Sequence, residues 1–130
     1  MKIRVYYEDT DAGGIVYHAN YLKYCERARS EYFFQKGLTP IIDGMQFVVR
    51  KMDCDFLKSA LFADTVDVIT TVKKMKNASF MLYQEIKRDD TVLFKAVVTL
   101  VLVKDGKPQR LDEKIKVLLE SLFSTHIKEL

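Results

Sequence analysis

From Tyr7 to Tyr21 the chain reads Tyr-Glu-Asp-Thr-Asp-Ala-Gly-Gly-Ile-Val-Tyr-His-Ala-Asn-Tyr, which places three carboxylates, two adjacent glycines and one histidine within 11 positions. An ionised carboxylate can take a proton from water or attack an electrophilic carbon itself. Adjacent glycines let a ligand come close to the main chain. The residues that follow carry helical periodicity, and a helix N-terminus offers unpaired N–H groups at the positive end of its dipole, suited to an anion or a developing oxyanion. Together these parts would serve acyl transfer, with a carboxylate as base or nucleophile and N–H groups holding the tetrahedral oxygen. The same residue types also build ordinary turns and caps. On that second reading Glu8 and Asp9 are solvated turn charges, His18 is a hydrogen-bonded histidine near a cap, and Tyr7 is the last inward residue of a strand. Spacing alone leaves both readings standing.

The elements that must position this stretch follow from periodicity. Ile3, Val5 and Tyr7 alternate with Lys2, Arg4, Tyr6 and Glu8, the period of a strand with one face inward. Tyr21, Tyr24, Cys25, Ala28 and Tyr32 fall on one stripe of an amphipathic helix, for which Asn20 is the expected N-cap and Gly37 the expected C′ residue before Pro40. Four strand-like runs follow, at 47–57, 65–75, 80–87 and 92–103. The first has Val48, Met52, Cys54 and Phe56 on one parity, and the last is apolar on both, as a central strand covered on both faces would be. Asn77-Ala78-Ser79 and Asp89-Asp90 predict tight turns, so the last three strands form an antiparallel meander closed at Asp105-Gly106. Asp112 is positioned to cap a final helix carrying Ile115, Leu118, Leu119 and Leu122 along one side. The expectation is a single α+β domain over residues 1–130, with a curved antiparallel sheet wrapped around the long helix.

Composition narrows the function classes. The 130 residues are 48% hydrophobic and 30% charged, with a formal net charge of +3 that is spread along the chain, so no nucleic-acid partner is expected. The longest apolar run, 96–103, is far short of a membrane span, and the N-terminus lacks a signal-peptide pattern. Two cysteines without C-x-x-C spacing read as free thiols packed in the interior of a cytoplasmic protein. His18 and His126 stand alone without ligand spacing, so no metal is expected. Lys73, Lys74, Lys76, Arg88, Lys104, Lys107 and Arg110 would suit phosphate groups, yet each reads equally well as a solvated surface charge.

The run from Val5 to Tyr21, followed by Glu26-Arg27-Ala28-Arg29, resembles the signature of the hot-dog-fold acyl-CoA thioesterases of the 4-hydroxybenzoyl-CoA thioesterase type. It is most similar to the YbgC branch associated with the Tol-Pal cell-envelope system, which the run 47–52 also resembles. The resemblance implies a five-stranded antiparallel sheet around a central helix, with a short C-terminal helix, in a homo-oligomer that is a dimer or a tetramer. It places the catalytic aspartate of the D-x-D-x-x-G-x-V pattern at Asp11, as general base or as nucleophile. It puts the backbone N–H that polarises the thioester carbonyl at His18, whose ring adds a hydrogen bond or orients water; Tyr7 lies close enough in sequence to take a supporting role. Acyl-CoA is the substrate it implies, so no cofactor is required beyond the coenzyme A carried by that substrate. An acyl group on acyl carrier protein is a second candidate substrate. Two other functions stay in view: a hot-dog hydratase or dehydratase acting on acyl thioesters, and a non-catalytic binding module for acyl carriers or envelope proteins.

Overall fold

The computed structural model describes residues 1–123, so His126 lies outside the described residues. In chain order the elements are β1 (Lys2–Arg4), α1 (His18–Phe34), β2 (Ile41–Ile42), β3 (Met45–Phe56), β4 (Thr65–Met75), β5 (Phe80–Arg88), β6 (Thr91–Lys104), β7 (Lys107–Gln109) and α2 (Glu113–Phe123). All strand pairs are antiparallel, in the order β1-β4-β5-β6-β3-β2, with β7 beside β6. β1, β3, β4, β5 and β6 are the five strands expected from periodicity. The two short additions, β2 and β7, each arise at an Asp-Gly turn. Asp43-Gly44 and Asp105-Gly106 hold both central residues at positive φ, the twist that a two-residue hairpin needs.

The sheet curls around α1, an α+β hot-dog arrangement. Tyr21, Tyr24, Cys25 and Ala28 form the buried stripe of the helix, joined by Phe33. They meet the inward parity of the sheet, including Val66, Val68, Leu82, Ile86, Phe94 and Val98. Each such side chain contributes about 1.5–3 kcal/mol by leaving water, which makes this layer the main fixed support for everything at the ends of α1. The helix closes as its sequence predicts. Gly37 takes φ 73, and the N–H groups of Gly37 and Leu38 donate to the carbonyls of Phe34 and Phe33 at 2.9 and 3.0 Å, a Schellman ending. α2 buries Ile115, Leu119, Leu122 and Phe123, and the Asp112 carboxylate caps it through the Ile115 N–H at 2.8 Å.

Four details differ from the periodicity reading. The inward alternation of the first segment ends at Val5, and Tyr7 to Asp9 form a single 3-10 turn that leaves Tyr7 80% exposed. α1 starts at His18 rather than after Asn20, so Asn20 sits inside the first turn and caps nothing. In β3 a bulge between Val49 and Lys51 switches the faces, so Phe47 points inward before it and Met52 and Cys54 after it, while Val48 is exposed. Phe56 lies near the strand end and is half exposed. β6 is central as expected, but among the described residues α1 covers its inner face only, and Val97 and Val101 on the outer face stay partly exposed.

Candidate active site

Residues 10–16 form a small hairpin between β1 and α1. Thr10 pairs with Val16, the Asp11 N–H donates to the Ile15 carbonyl at 2.9 Å, and the Gly14 N–H donates to the Asp11 carbonyl at 3.0 Å. Gly14 turns the tip at φ 82, a conformation that strains any residue with a Cβ. The hairpin is fastened to the 57–64 segment: Ile15 bridges Leu61, and the Val16 N–H donates to the Ala60 carbonyl at 2.9 Å. That segment is held to the sheet in turn, since the N–H groups of Leu57 and Lys58 both reach the Leu93 carbonyl, at 2.8 and 3.0 Å.

Asp9 turns out to be a buried tie-point, 6% exposed, and not a solvated charge. Its Oδ2 accepts from the Tyr6 N–H at 2.9 Å, its Oδ1 from Asn20 Nδ2 at 2.9 Å, and its main-chain oxygen from the Tyr17 N–H at 2.9 Å. The fully buried Tyr24 hydroxyl faces the same carboxylate without completing a hydrogen bond of good geometry. Burial first, and the neighbouring Asp9 carboxylate after it, push its pKa above the ordinary phenol range. Glu8 remains exposed.

Asp11 points the other way. Its Oδ1 accepts from the Gly13 N–H at 2.8 Å, and its Oδ2 has no partner among the described residues. Asp11 and His18 line one open cavity of about 240 Å³, together with Ile15, Tyr21, Phe56 and Lys58. The apolar side of this cavity is an aromatic stack: Tyr21 lies face to face with Phe94 at 5.3 Å, Phe56 packs edge-on to Phe94 at 5.0 Å, and His18 stands edge-on to Phe56 at 6.3 Å. The Tyr21 hydroxyl accepts from the Ala60 N–H at 2.9 Å, which fixes the helix against the loop wall. No side chain caps the N-terminus of α1, and the N–H groups of His18 and Ala19 have no backbone partner among the described residues. An exposed carboxylate oxygen and the uncapped start of α1 at His18 therefore border one hollow with an aromatic side, an arrangement suited to attack on a carbonyl carbon.

Of the three residues singled out in the sequence, the structure brings Asp11 and His18 together and sets Tyr7 apart. Tyr7 packs edge-on to Phe62 at 5.7 Å and lines a neighbouring hollow with Arg4. Phe56, Lys58 and Ser59 escaped the sequence reading because they come from a segment some 45 residues downstream of Asp11, carried to the site by the β3–β6 pairing, the bonds of 57–58 to Leu93 and the bridges from Ile15 and Val16 to Leu61 and Ala60. Most of the basic side chains considered for phosphate lie at the other end of the sheet. Lys73 is eight residues along β4 from Thr65, about 25 Å at the rise of a strand, and Lys104 and Lys107 flank the β6–β7 turn. Arg88 is the exception, donating to Asp64 at 2.7 Å and to the Ser59 carbonyl at 3.2 Å beside the cavity.

Residues 13–95 match the model of the thioesterase superfamily. The chain is 48% identical to an acyl-CoA thioesterase YbgC of Helicobacter pylori over 86 residues, 66% of this chain and 65% of that protein, so just under two thirds of that relative's length is spanned. It is 38% identical to the acyl-CoA thioesterase YbgC of Haemophilus influenzae over 128 residues, 94% of each chain. Among solved structures, a probable thioesterase from Bartonella henselae superposes with a TM-score of 0.81 at 34% identity, covering 86% of this chain and 97% of the other.

Proposed function

The chain belongs to the thioesterase superfamily, in its YbgC branch, and we propose that it hydrolyses acyl-CoA to a free carboxylic acid and coenzyme A. The observation that carries this reading is the shared cavity of Asp11 and His18 at the uncapped start of α1. A thioester carbonyl seated there would direct its oxygen at the His18 and Ala19 N–H groups and its carbon toward Asp11 Oδ2. As general base, Asp11 takes a proton from water while the water oxygen attacks the carbonyl carbon. As nucleophile, its own oxygen attacks, and water then cleaves the mixed anhydride. On either route the oxyanion is held by the N–H dipoles, the C–S bond breaks, and the thiolate leaves to be protonated as coenzyme A. A thioester needs less activation than an amide, so one carboxylate and a preorganised donor pair suffice; a single donor of this kind is worth about 10²–10³ in turnover. Tyr7, in the neighbouring hollow, enters no step. Lys58 on the cavity wall is the nearest cation to offer substrate phosphate, while Arg88 beside it is paired with Asp64.

The same thioester on acyl carrier protein is a second candidate substrate, since only the thioester end enters the cavity. We place the protein in the cytoplasm, where free thiols such as Cys25 and Cys54 persist; no helix among the described residues is long and apolar enough to cross a membrane. The site is open in the single chain, and among the described residues the edge of β3 beyond its pairing with β2 is unpaired, with Val48 and Val49 exposed. Such an edge invites a second strand, which supports a homo-oligomer in which a second copy adds to the sheet and helps close the site. Release of free thiol from short, medium, long and aromatic acyl-CoAs tests the proposal. Saturable turnover on at least one class is expected. Loss of enoyl absorbance from crotonyl-CoA without thiol release would point instead to a hydratase, and binding with no turnover on any chain length to a non-catalytic module.

A further inference from the structure

A second cavity, of about 390 Å³, lies between α1 and the sheet and shares no lining residue with the Asp11–His18 cavity. Its walls include Phe33, Phe47, Phe80, Leu100 and Phe123, and its polar lining is Arg29 with Glu26, Ser30 and Gln46. Arg29 stands eleven residues along α1 from His18, about 16 Å at the helical rise. Its guanidinium is held by design of the interior: Gln84, fully buried, donates to the Cys25 carbonyl at 3.1 Å and to Thr70 Oγ1 at 2.9 Å, which leaves its Oε1 to accept from Arg29 Nη1 at 2.9 Å. Among the described residues no carboxylate comes within ion-pair distance of Arg29. Glu26 shares the cavity rim but is solvent-exposed, and it acts on Arg29 only at longer range. The guanidinium is part-buried, and beyond its bond to Gln84 it makes no hydrogen bond to protein among the described residues, so its remaining N–H donors are free to meet a ligand. The burial already pulls its pKa down from the usual value.

We propose that this cavity is a binding site for an aliphatic carboxylate, whose head group pairs with the Arg29 guanidinium and whose chain lies against the phenylalanine and leucine walls. A planar guanidinium matches a carboxylate through two parallel hydrogen bonds, and an apolar cavity of this size is in the range that holds a small ligand. The carboxylate can come from two sources: a free fatty acid, or the far end of a dicarboxylic acyl chain whose other end is a thioester. The site stands on Arg29, Gln84 and the aromatic walls, and its existence does not depend on the assignment of Asp11.

Calorimetric titration with octanoate tests it, using the full chain, Asp11→Asn, Arg29→Gln and Phe47→Trp, with thermal melts to establish that each variant is folded. Wild type and Asp11→Asn bind octanoate saturably at one site per chain. Arg29→Gln binds it at least tenfold more weakly, while 1-octanol, which lacks the charge, binds both proteins alike. Phe47→Trp fills the cavity without touching the guanidinium and also weakens octanoate at least tenfold. Octanoate binding that persists in the presence of octanoyl-CoA assigns the site to the free acid. A lower KM for the mono-CoA thioester of hexadecanedioic acid, a chain long enough to span the two cavities, than for hexadecanoyl-CoA, abolished by Arg29→Gln, assigns it to the acyl chain's own far end. No saturable octanoate binding by wild type, or equal binding by folded Arg29→Gln and Phe47→Trp, overturns the proposal.

Discussion

Asn20 Nδ2 donates to Asp9 Oδ1 at 2.9 Å, and through this bond the first turn of α1 grips the loop that precedes it by eleven residues. Asp9 also accepts from the N–H groups of Tyr6 and Tyr17, so a single residue fastens the end of β1, the residue before α1 and the helix itself. Asp11, two residues on, is thereby held at the helix start with one oxygen free. The two aspartates of the D-x-D pattern divide the work: the first is buried and structural, and the second is exposed at the cavity.

Asp9→Asn separates these roles. The amide keeps the volume, but it replaces one accepting oxygen with a donor, which must face either the Tyr6 N–H or the Asn20 amide. Loss of a charge-assisted hydrogen bond, with a buried donor left unpaired, costs about 2–3 kcal/mol. Urea unfolding shows a lower midpoint for this variant, and thiol release falls along with it because the hairpin carrying Asp11 loosens.

Asp11→Asn gives the opposite pattern. The side chain is exposed and its Oδ1 contact with the Gly13 N–H survives in the amide, so the unfolding free energy changes by less than about 0.5 kcal/mol. Thiol release falls by about 10³-fold, in the range for loss of a positioned base. Turnover within tenfold of wild type removes Asp11 from the mechanism. His18→Ala keeps the backbone N–H at the helix start, so kcat drops by about tenfold, much less than for Asp11→Asn; an equal loss in the two variants would make the imidazole ring itself the essential group.

Most of the fold could be read from the residues because each strand between 65 and 103 is bounded by turn residues and carries a long inward parity, as in Phe80, Leu82 and Ile86, even though β4 shifts register between Val72 and Lys74. The reading failed where a local event reset the pattern. The β3 bulge exchanged the faces occupied by Val48 and Phe47, and no residue type at Arg50 announces it. Asp9 looked like a turn charge because its partners, the Asn20 amide and the Tyr6 and Tyr17 N–H groups, converge only after the loop has folded back. Asp11 and His18 were legible as a pair since one short loop joins them. The opposite wall of the cavity, Phe56 and Lys58, depends on a long-range pairing with Leu93 that no local spacing encodes.

Gly13 tests how closely the carboxylate must be placed. A Cβ at this position would stand 3.3 Å from Asp11 Oδ1, so the carboxylate must give way by a few tenths of an ångström. Gly13→Ala therefore lowers kcat by about tenfold through misalignment, since a displacement of 1 Å can cost about 10²-fold. Its unfolding midpoint stays near that of wild type, because Gly13 is not among the positive-φ residues. Gly14→Ala reverses the order of effects: the cavity side is open around Gly14, but its φ of 82 is unfavourable to alanine, so stability falls by about 1 kcal/mol.

Stability against alkali follows from the buried side of α1. Burial pushes the Cys25 thiol up from 9.0 to about 12, with Arg29 pulling it down and Cys54 adding slightly to the rise. The folded chain therefore keeps a proton that the unfolded chain has lost between these two values. Over that window the unfolded state binds fewer protons, so stability is fully present below about pH 9 and declines as pH rises toward 12. Tyr24 and Tyr83, both raised mainly by burial, continue the decline in the same direction at higher pH. Urea midpoints measured from pH 7 to 10.5 stay level up to about pH 8.5 and then fall, and Cys25→Ala falls less steeply although it starts lower. Equal slopes in the two proteins would assign the alkaline transition to Cys54 and the tyrosines. The same burial makes Cys25 inert to iodoacetamide at pH 8 in the native state, while Cys54, only partly buried on β3, is the thiol that labels first.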